Sequence, residues 1–310
     1  MKLKKWIAVW QETYDAPAVR QSTYEAHCYL LKNHILPGLG DCDLSELTPI
    51  RIQQFERRCR QDGNHRTGTP LSEVTMRNIL QLLRKILRRA VCAGLLEQDP
   101  MTAWSFPKTE RVQAETLTEQ EVAEYLDTAA ELGYAAMFTL VLHYGLRQRE
   151  LIALKWSDVD MTKPSLTVHT GRVLKKGELI EMQGRVRELM LSAEDAELLQ
   201  QEHDQHPSSE VLFLHPGTLR PYSPNMVRLR HEKILTAAGI GHIRFEDLRH
   251  TFAVLALQNG MTAAEVTHLQ GRCRATLTRQ SYGVHRQEAA TQGEDQEHEA
   301  AQVIEKLMKF

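Results

Sequence analysis

Three short stretches of the chain hold residue types that could work on a phosphodiester. Arg147 follows Gly145-Leu146 in YGLRQRELIALKWSDVD, residues 144–160. Glu246, Arg249 and His250 fall together in FEDLRHTFAVLALQNG, residues 245–260. Tyr282 lies in QSYGVHR, ten residues after Arg272. A phosphodiester under attack gathers charge on its non-bridging oxygens. A guanidinium suits that charge because it can donate two parallel hydrogen bonds. A phenol, with a pKa near about 10, attacks poorly until a base or a positive surrounding helps remove its proton. The departing oxygen then needs an acid. On residue type alone, Arg147 could equally be a surface arginine at a helix end and Tyr282 an ordinary packing residue.

Other constellations fail. His203 and His206 lie three apart on a predicted helix, but no second ligand cluster follows, so no metal is expected. No Walker-type loop, GxGxxG or workable Ser-His-Asp spacing is present, and no cofactor is expected.

With 310 residues, 42% hydrophobic and 25% charged, the chain has room for one large domain or two ordinary ones of globular type. No run of 18 apolar residues occurs, so no membrane partner is expected. The five cysteines show no Cys-x-x-Cys spacing, which points to a reduced, cytoplasmic setting. The net charge is only −2, yet residues 1–108 carry 16 Lys and Arg against 11 Asp and Glu. A basic first part permits phosphate contacts without announcing them.

The elements that must position these residues begin with an all-helical segment. Trp6, Val9 and Trp10 are predicted to share a face of the first helix. The second runs from about Val19 to a stop at Pro37-Gly38. Thr48-Pro49 opens a third helix with Ile52 and Phe55, and Ser72 caps a long fourth whose apolar stripe includes Ile79, Leu83, Ile86 and Leu87. Arg84, Lys85, Arg88 and Arg89 lie between those apolar positions. They form either a solvated face or one that tracks phosphates.

SFPKTERVQAET reads as a linker, and Thr118-x-x-Glu121 as the capping box of a second domain. Short strands are predicted at SLTVHTG, ELIEM, VRELMLS and EVLFL (residues 210–214), and helices near 223–238, 246–259, 262–270 and 274–282. A last short helix could pack on a neighbouring subunit or on its own domain.

Taken together, the GLR turn with Glu150, Leu151 and Trp156, the DLRH element and the SYGVH stretch resemble the tyrosine recombinase (phage integrase) family. LGDCDLSELTPIRIQQF and GTPLSEVTMRNILQLLRKILRRAV look like the core-binding domain of integrases from conjugative elements, whose frequent upstream arm-binding domain has no counterpart here. The resemblance implies a mainly α fold. Residues 1–105 would be a four-helix, SAM-like core-binding domain and 106–117 a linker. Residues 118–285 would be a mostly helical (α+β) catalytic domain with a small antiparallel sheet, and 286–310 a tail helix.

It also implies breakage and rejoining of double-stranded DNA through a 3′-phosphotyrosyl link, by a homotetramer on paired sites and with DNA-bending accessory proteins. Arg147 and Arg249 would clamp the phosphate, Tyr282 would attack, and His250 would support by hydrogen bonding. The sequence departs from the family pattern at three slots: Glu246 replaces a histidine, Arg272 a histidine or tryptophan, and Met182 the lysine acid. Arg272 can still donate to a phosphate oxygen. Glu246 could accept the Tyr282 proton, or pair with Arg147 or Arg249 and blunt the clamp. Lys175 or Lys176, read as the preceding turn, could serve as the acid. These departures keep open a catalytically impaired DNA-binding relative, and the near-neutral charge a helical protein with no DNA role.

Overall fold

The computed structural model describes residues 1–63, 69–106, 114–175, 178–181 and 184–271. They fall into two compact units, Met1–Val112 and Gln113–Phe310.

In the first unit, α1 (Leu3–Trp10) buries Leu3, Trp6, Ile7 and Trp10, the i, i+3, i+4, i+7 stripe of a helix. Val9, expected on that face, is 47% exposed, because Ile7 and not Val9 completes the stripe. A π turn, Gln11–Asp15, follows. α2 (Gln21–Leu30) does not stop at Pro37-Gly38. It passes through a second π turn, Leu31–Ile35, into α3 (Leu36–Leu39). There the Leu36 N–H reaches back five residues to the Leu31 carbonyl. The widened turn lets the chain enter a residue that has no N–H of its own, and Pro37 sits in the first turn of α3.

α4 (Pro49–Asp62) is capped as expected by Thr48, and α5 (Glu73–Cys92) by Ser72, whose Oγ accepts the Thr75 N–H at 3.2 Å. The apolar stripe of α5 faces α1 and α4, and the Trp6 indole donates to the Ile86 carbonyl at 3.1 Å.

The second unit starts before Thr118. Leu117 is buried and its N–H donates to Thr251 Oγ1 at 3.1 Å, so the predicted linker 106–117 runs too far. The Thr118–Glu121 capping box opens α6 (Glu119–Glu131). Then come α7 (Ala135–Tyr144), α8 (Gln148–Leu151), β1 (Val159–Asp160), β2 (Ser165–His169), β3 (Arg172–Lys175), β4 (Glu178–Glu181) and β5 (Val186–Met190). The remaining elements are α9 (Ala193–Gln205), α10 (Pro224–Ala238), α11 (Phe245–Gln258) and α12 (Ala263–Leu269).

The sheet is antiparallel in the order β1-β2-β5, with Leu166 opposite Leu189, and β3-β4 form a separate hairpin. β3 was not anticipated. Lys175, read from the sequence as part of a turn, is its last residue, opposite Glu178. The strand expected at 210–214 is absent. Val211, Leu212 and Phe213 are buried one after another, which a strand with a single inward face does not do, and only isolated bridges at Val211 and Leu214 remain. α7 is buried almost throughout, packed between α6 and α11. No helix of the described residues is long and apolar enough to cross a membrane.

Candidate active site

The site is built where α7 ends. Gly145 adopts φ +62°, a conformation that costs a residue with a Cβ on the order of 1–2 kcal/mol. A Cβ there would also lie 2.5 Å from Cδ1 of Phe252 and 3.2 Å from Cγ of Gln270. Glycine thus lets α7 end tightly against α11, and the next two residues deliver Arg147 to the start of α8. Glu150, one turn on and only 3% exposed, accepts from Arg147 twice. The backbone N–H lies 3.0 Å from Oε2, and Nη1 lies 2.7 Å from Oε1. The Arg147 side chain is 44% exposed, and among the described residues Glu150 is its only partner.

Arg249, on α11, is buried. It donates through Nη1 to the Gly145 carbonyl and through Nη2 to the Gln270 carbonyl, the latter at 2.6 Å. It thereby joins the turn that carries Arg147 to the end of α12. The Gln270 side chain returns a hydrogen bond to the Arg249 carbonyl at 2.9 Å. The structure therefore brings both predicted arginines to one place. His250 follows on α11 and is half-buried.

Glu246 stands exposed in the first turn of α11, and among the described residues it pairs with neither Arg147 nor Arg249. The expectation that it might neutralise the clamp is therefore overturned. The N-terminal ion pair of this helix belongs to Asp247, whose carboxylate accepts from the Arg244 N–H, Nε and Nη2 at 2.8–3.0 Å. Tyr282, Arg272, Lys176 and Met182 lie outside the described residues, as do the helix predicted at 274–282 and the tail 286–310.

Two groups of the candidate site have no role in the sequence reading. Arg187, buried in β5, grips Glu150 with both terminal nitrogens, at 3.2 and 2.8 Å, and donates through Nε to the Leu269 carbonyl at 2.8 Å. Glu150 itself was read only as part of a motif, not as the acceptor between two arginines. The signal for Arg187 was present. Strand alternation places it on the same face as Leu189, the buried face, where a lone arginine requires a partner.

Three buried carboxylates of this unit titrate below the usual range. Burial alone would raise Glu150, but the hydrogen bonds and charge of Arg187, then those of Arg147, more than reverse it. Burial would likewise raise Asp195. His143 at 3.1 Å and the Tyr144 hydroxyl at 2.6 Å overcome that, and Arg244 does the same for Asp247. Each folded value is depressed, so the stabilisation is complete above the unfolded values near about 4 and is lost as pH falls through the folded ones. Urea unfolding followed by circular dichroism should give a midpoint that falls most steeply below pH ~4, after a smaller decline below pH ~6.5 from His231, which burial holds neutral in the fold. A midpoint unchanged down to pH ~3 would contradict these pairings.

The basic row of α5 is less free than its pattern implied. Lys85 Nζ lies 3.0 Å from Asp15, a fully buried carboxylate that His27 also contacts at 2.7 Å. Arg89 stacks 4.2 Å above the Tyr14 ring. Arg84 lies 5.4 Å from the Phe106 ring and 3.6 Å from Asp99. Arg88 is exposed and has no partner among the described residues. These four side chains, with Gln81, Cys92 and Phe106, line one shallow concavity. His203, considered as a ligand, instead packs edge-on against Trp156, and no group of metal-ligating side chains occurs among the described residues.

Comparison with known proteins agrees with this geometry. The model of the phage integrase family matches residues 115–288, and that of the phage integrase N-terminal SAM-like domain matches residues 2–58. The chain is similar to a tyrosine recombinase XerC-like protein of Caldanaerobacter subterraneus subsp. tengcongensis, 25% identical, over 84% of this chain and 72% of the relative. It is similar as well to the ICEBs1 integrase of Bacillus subtilis, 20% identical, over 84% of this chain and 73% of the relative. Among solved structures, a lambda integrase tetramer bound to a Holliday junction shares the fold, with a TM-score of 0.69 and 19% identity over 94% of this chain and 80% of that one.

Proposed function

Since the chain belongs to the phage integrase family, whose members are tyrosine recombinases acting at specific DNA sites, we propose that it cuts DNA with Tyr282 as the nucleophile. The Tyr282 oxygen attacks the scissile phosphorus, the bond to the 5′-oxygen breaks, and the phosphate stays linked to the tyrosine through its 3′ side. Rejoining reverses the step. The phosphoester bond is exchanged, not hydrolysed, so no nucleotide triphosphate is required. Arg147 and Arg249, with Arg272, neutralise charge that grows on the non-bridging oxygens, and His250 supports them. Glu246, an exposed carboxylate at the start of α11, accepts the phenol proton, and Lys176 gives a proton to the departing 5′-oxygen.

The observation that carries this reading is the bond from Arg249 to the Gly145 carbonyl, two residues before Arg147. It holds two guanidiniums beside one turn, as a phosphate clamp demands. Duplex DNA is the partner, with Arg88 and its neighbours on α5 as backbone contacts and four copies of the chain acting on paired sites.

One observation favours a second reading, a DNA-binding relative with impaired chemistry. Glu246 holds no ion pair among the described residues beyond the field of Arg244, and its carboxylate would repel a phosphodiester bound beside it. A trapping assay separates the two. Duplexes from the flanks of the chain's own gene are nicked beside the cleavage point, so that the freed fragment diffuses away and rejoining fails. A protein–DNA band that survives denaturant is the expected result. Tight binding with no such band, from either the native chain or Glu246→His, would leave only the DNA-binding relative.

A further inference from the structure

We propose that Arg187, to which the reaction above gives no part, is the positioning residue that keeps Arg147 available to the phosphate. This rests on the reading of Arg147 as half of the clamp. Glu150 lies directly behind Arg147 and is 3% exposed. A buried carboxylate with a single neighbouring guanidinium draws it into a two-pronged pair, and a guanidinium so held has little charge to offer a third group. Here Arg187 already occupies both carboxylate oxygens, Nη1 on Oε1 at 3.2 Å and Nη2 on Oε2 at 2.8 Å. Arg147 keeps one side-chain contact, Nη1 on Oε1, and among the described residues its Nε and Nη2 have no acceptor.

Two guanidiniums thus share one carboxylate, which leaves one positive charge in excess. That charge is displayed outward, because the Arg187 side chain is 5% exposed and that of Arg147 44%. The remaining donor of Arg187 fixes the arrangement in space. Its Nε holds the Leu269 carbonyl at 2.8 Å, one residue from the Gln270 carbonyl that Arg249 holds. Gly271 follows with φ +58°, and a Cβ at that position would lie 2.7 Å from Arg187 Nη1. The chain leaves α12 without a side chain at the one point where the buried guanidinium fills the space. Arg187 therefore neutralises the carboxylate beneath the clamp and sets the spacing between the clamp turn and the end of α12.

The number of phosphates that a protein neutralises is read from the slope of log affinity against log salt, and this measurement needs no cleavage. We would measure it by fluorescence anisotropy, using the full chain and a short labelled duplex from the flanks of its own gene. Arg147→Met should lower the slope by about one contact. Arg187→Met, although the residue is too buried to touch DNA, should lower it by about the same amount, and the two changes together should do no more than either alone. Arg187→Met/Glu150→Gln removes the sequestering charge with its partner and should restore the native slope. It also leaves no buried carboxylate unpaired, so it keeps the test alive if Arg187→Met alone does not fold.

A drop in slope for Arg147→Met but none for Arg187→Met would overturn the role of Arg187 and leave the clamp standing. A failure of the double variant, once folded, to recover the slope would also overturn it, because the proposed effect runs only through the charge of Glu150. If Arg147→Met leaves the slope unchanged, the clamp reading falls, and the proposal with it.

Discussion

Tyr282→Phe should abolish the denaturant-resistant protein–DNA band, by more than about 10³-fold in rate, while duplex affinity stays within about twofold of native. The substitution removes a single oxygen. Affinity comes from cations along the DNA backbone, which it does not touch, whereas the covalent step has no other nucleophile within the proposal. Two other tyrosines of the second unit, Tyr125 and Tyr144, are locked out of this role. The Tyr125 hydroxyl is buried on Nδ1 of His231 at 2.8 Å, and burial pushes its pKa well above the ordinary value. Tyr144 is held in the same way by burial and by Asp195 at 2.6 Å. Persistence of the band in Tyr282→Phe would transfer the nucleophile elsewhere and refute the assignment. Loss of band and affinity together would show that the hydroxyl serves in folding or docking instead.

Arg249→Ala should be the most damaging single change to the fold of the second unit. It leaves the buried Gly145 and Gln270 carbonyls without this donor, at about 1–3 kcal/mol each, and removes the volume of a buried side chain. The sum is on the order of 3–5 kcal/mol, or a melting temperature lower by roughly 10 °C in a unit of this size. Arg249→Lys keeps a cation but has no fork to reach two carbonyls 125 residues apart in sequence, so it should recover only part of the loss. Covalent trapping by either variant, measured below its melting temperature, should fall by about 10²–10³-fold. A thermal midpoint for Arg249→Ala within about 2 °C of native would mean that the carbonyls do not depend on this side chain.

What could be read from the sequence divides along a physical line. Features decided within one or two helical turns were legible: the caps at Thr48, Ser72 and Thr118, the stripe of α5 and the buried run of α7. The π turns were not, because a hydrogen bond that reaches back five residues has no compositional mark, and Pro37 was taken for a stop. The arginines of the site were found from motif spacing. Their supports were hidden because they depend on distant pairing. Arg187 meets Glu150 across 37 positions, and Lys85 meets Asp15 across 70. Only a folded chain shows that Lys85 serves a buried carboxylate while Arg88 faces outward. Arg88→Ala is therefore the cleaner probe of DNA contact.

Glu246 is exposed and its side chain holds no hydrogen bond or ion pair among the described residues, although its charge acts on Arg244 and His231 nearby. Gly145, Gly271, Arg187 and Arg249 are each fixed by their neighbours, so exchange at those positions is penalised through folding before any chemistry is asked of them. At position 246 that penalty is lifted. Exchange there bears on charge at the start of α11 and on the proposed proton transfer. A library of polar side chains at this position would rank them chiefly by chemical competence. A lineage could thus move between fast, slow and silent forms of the protein by single substitutions, with its scaffold unchanged.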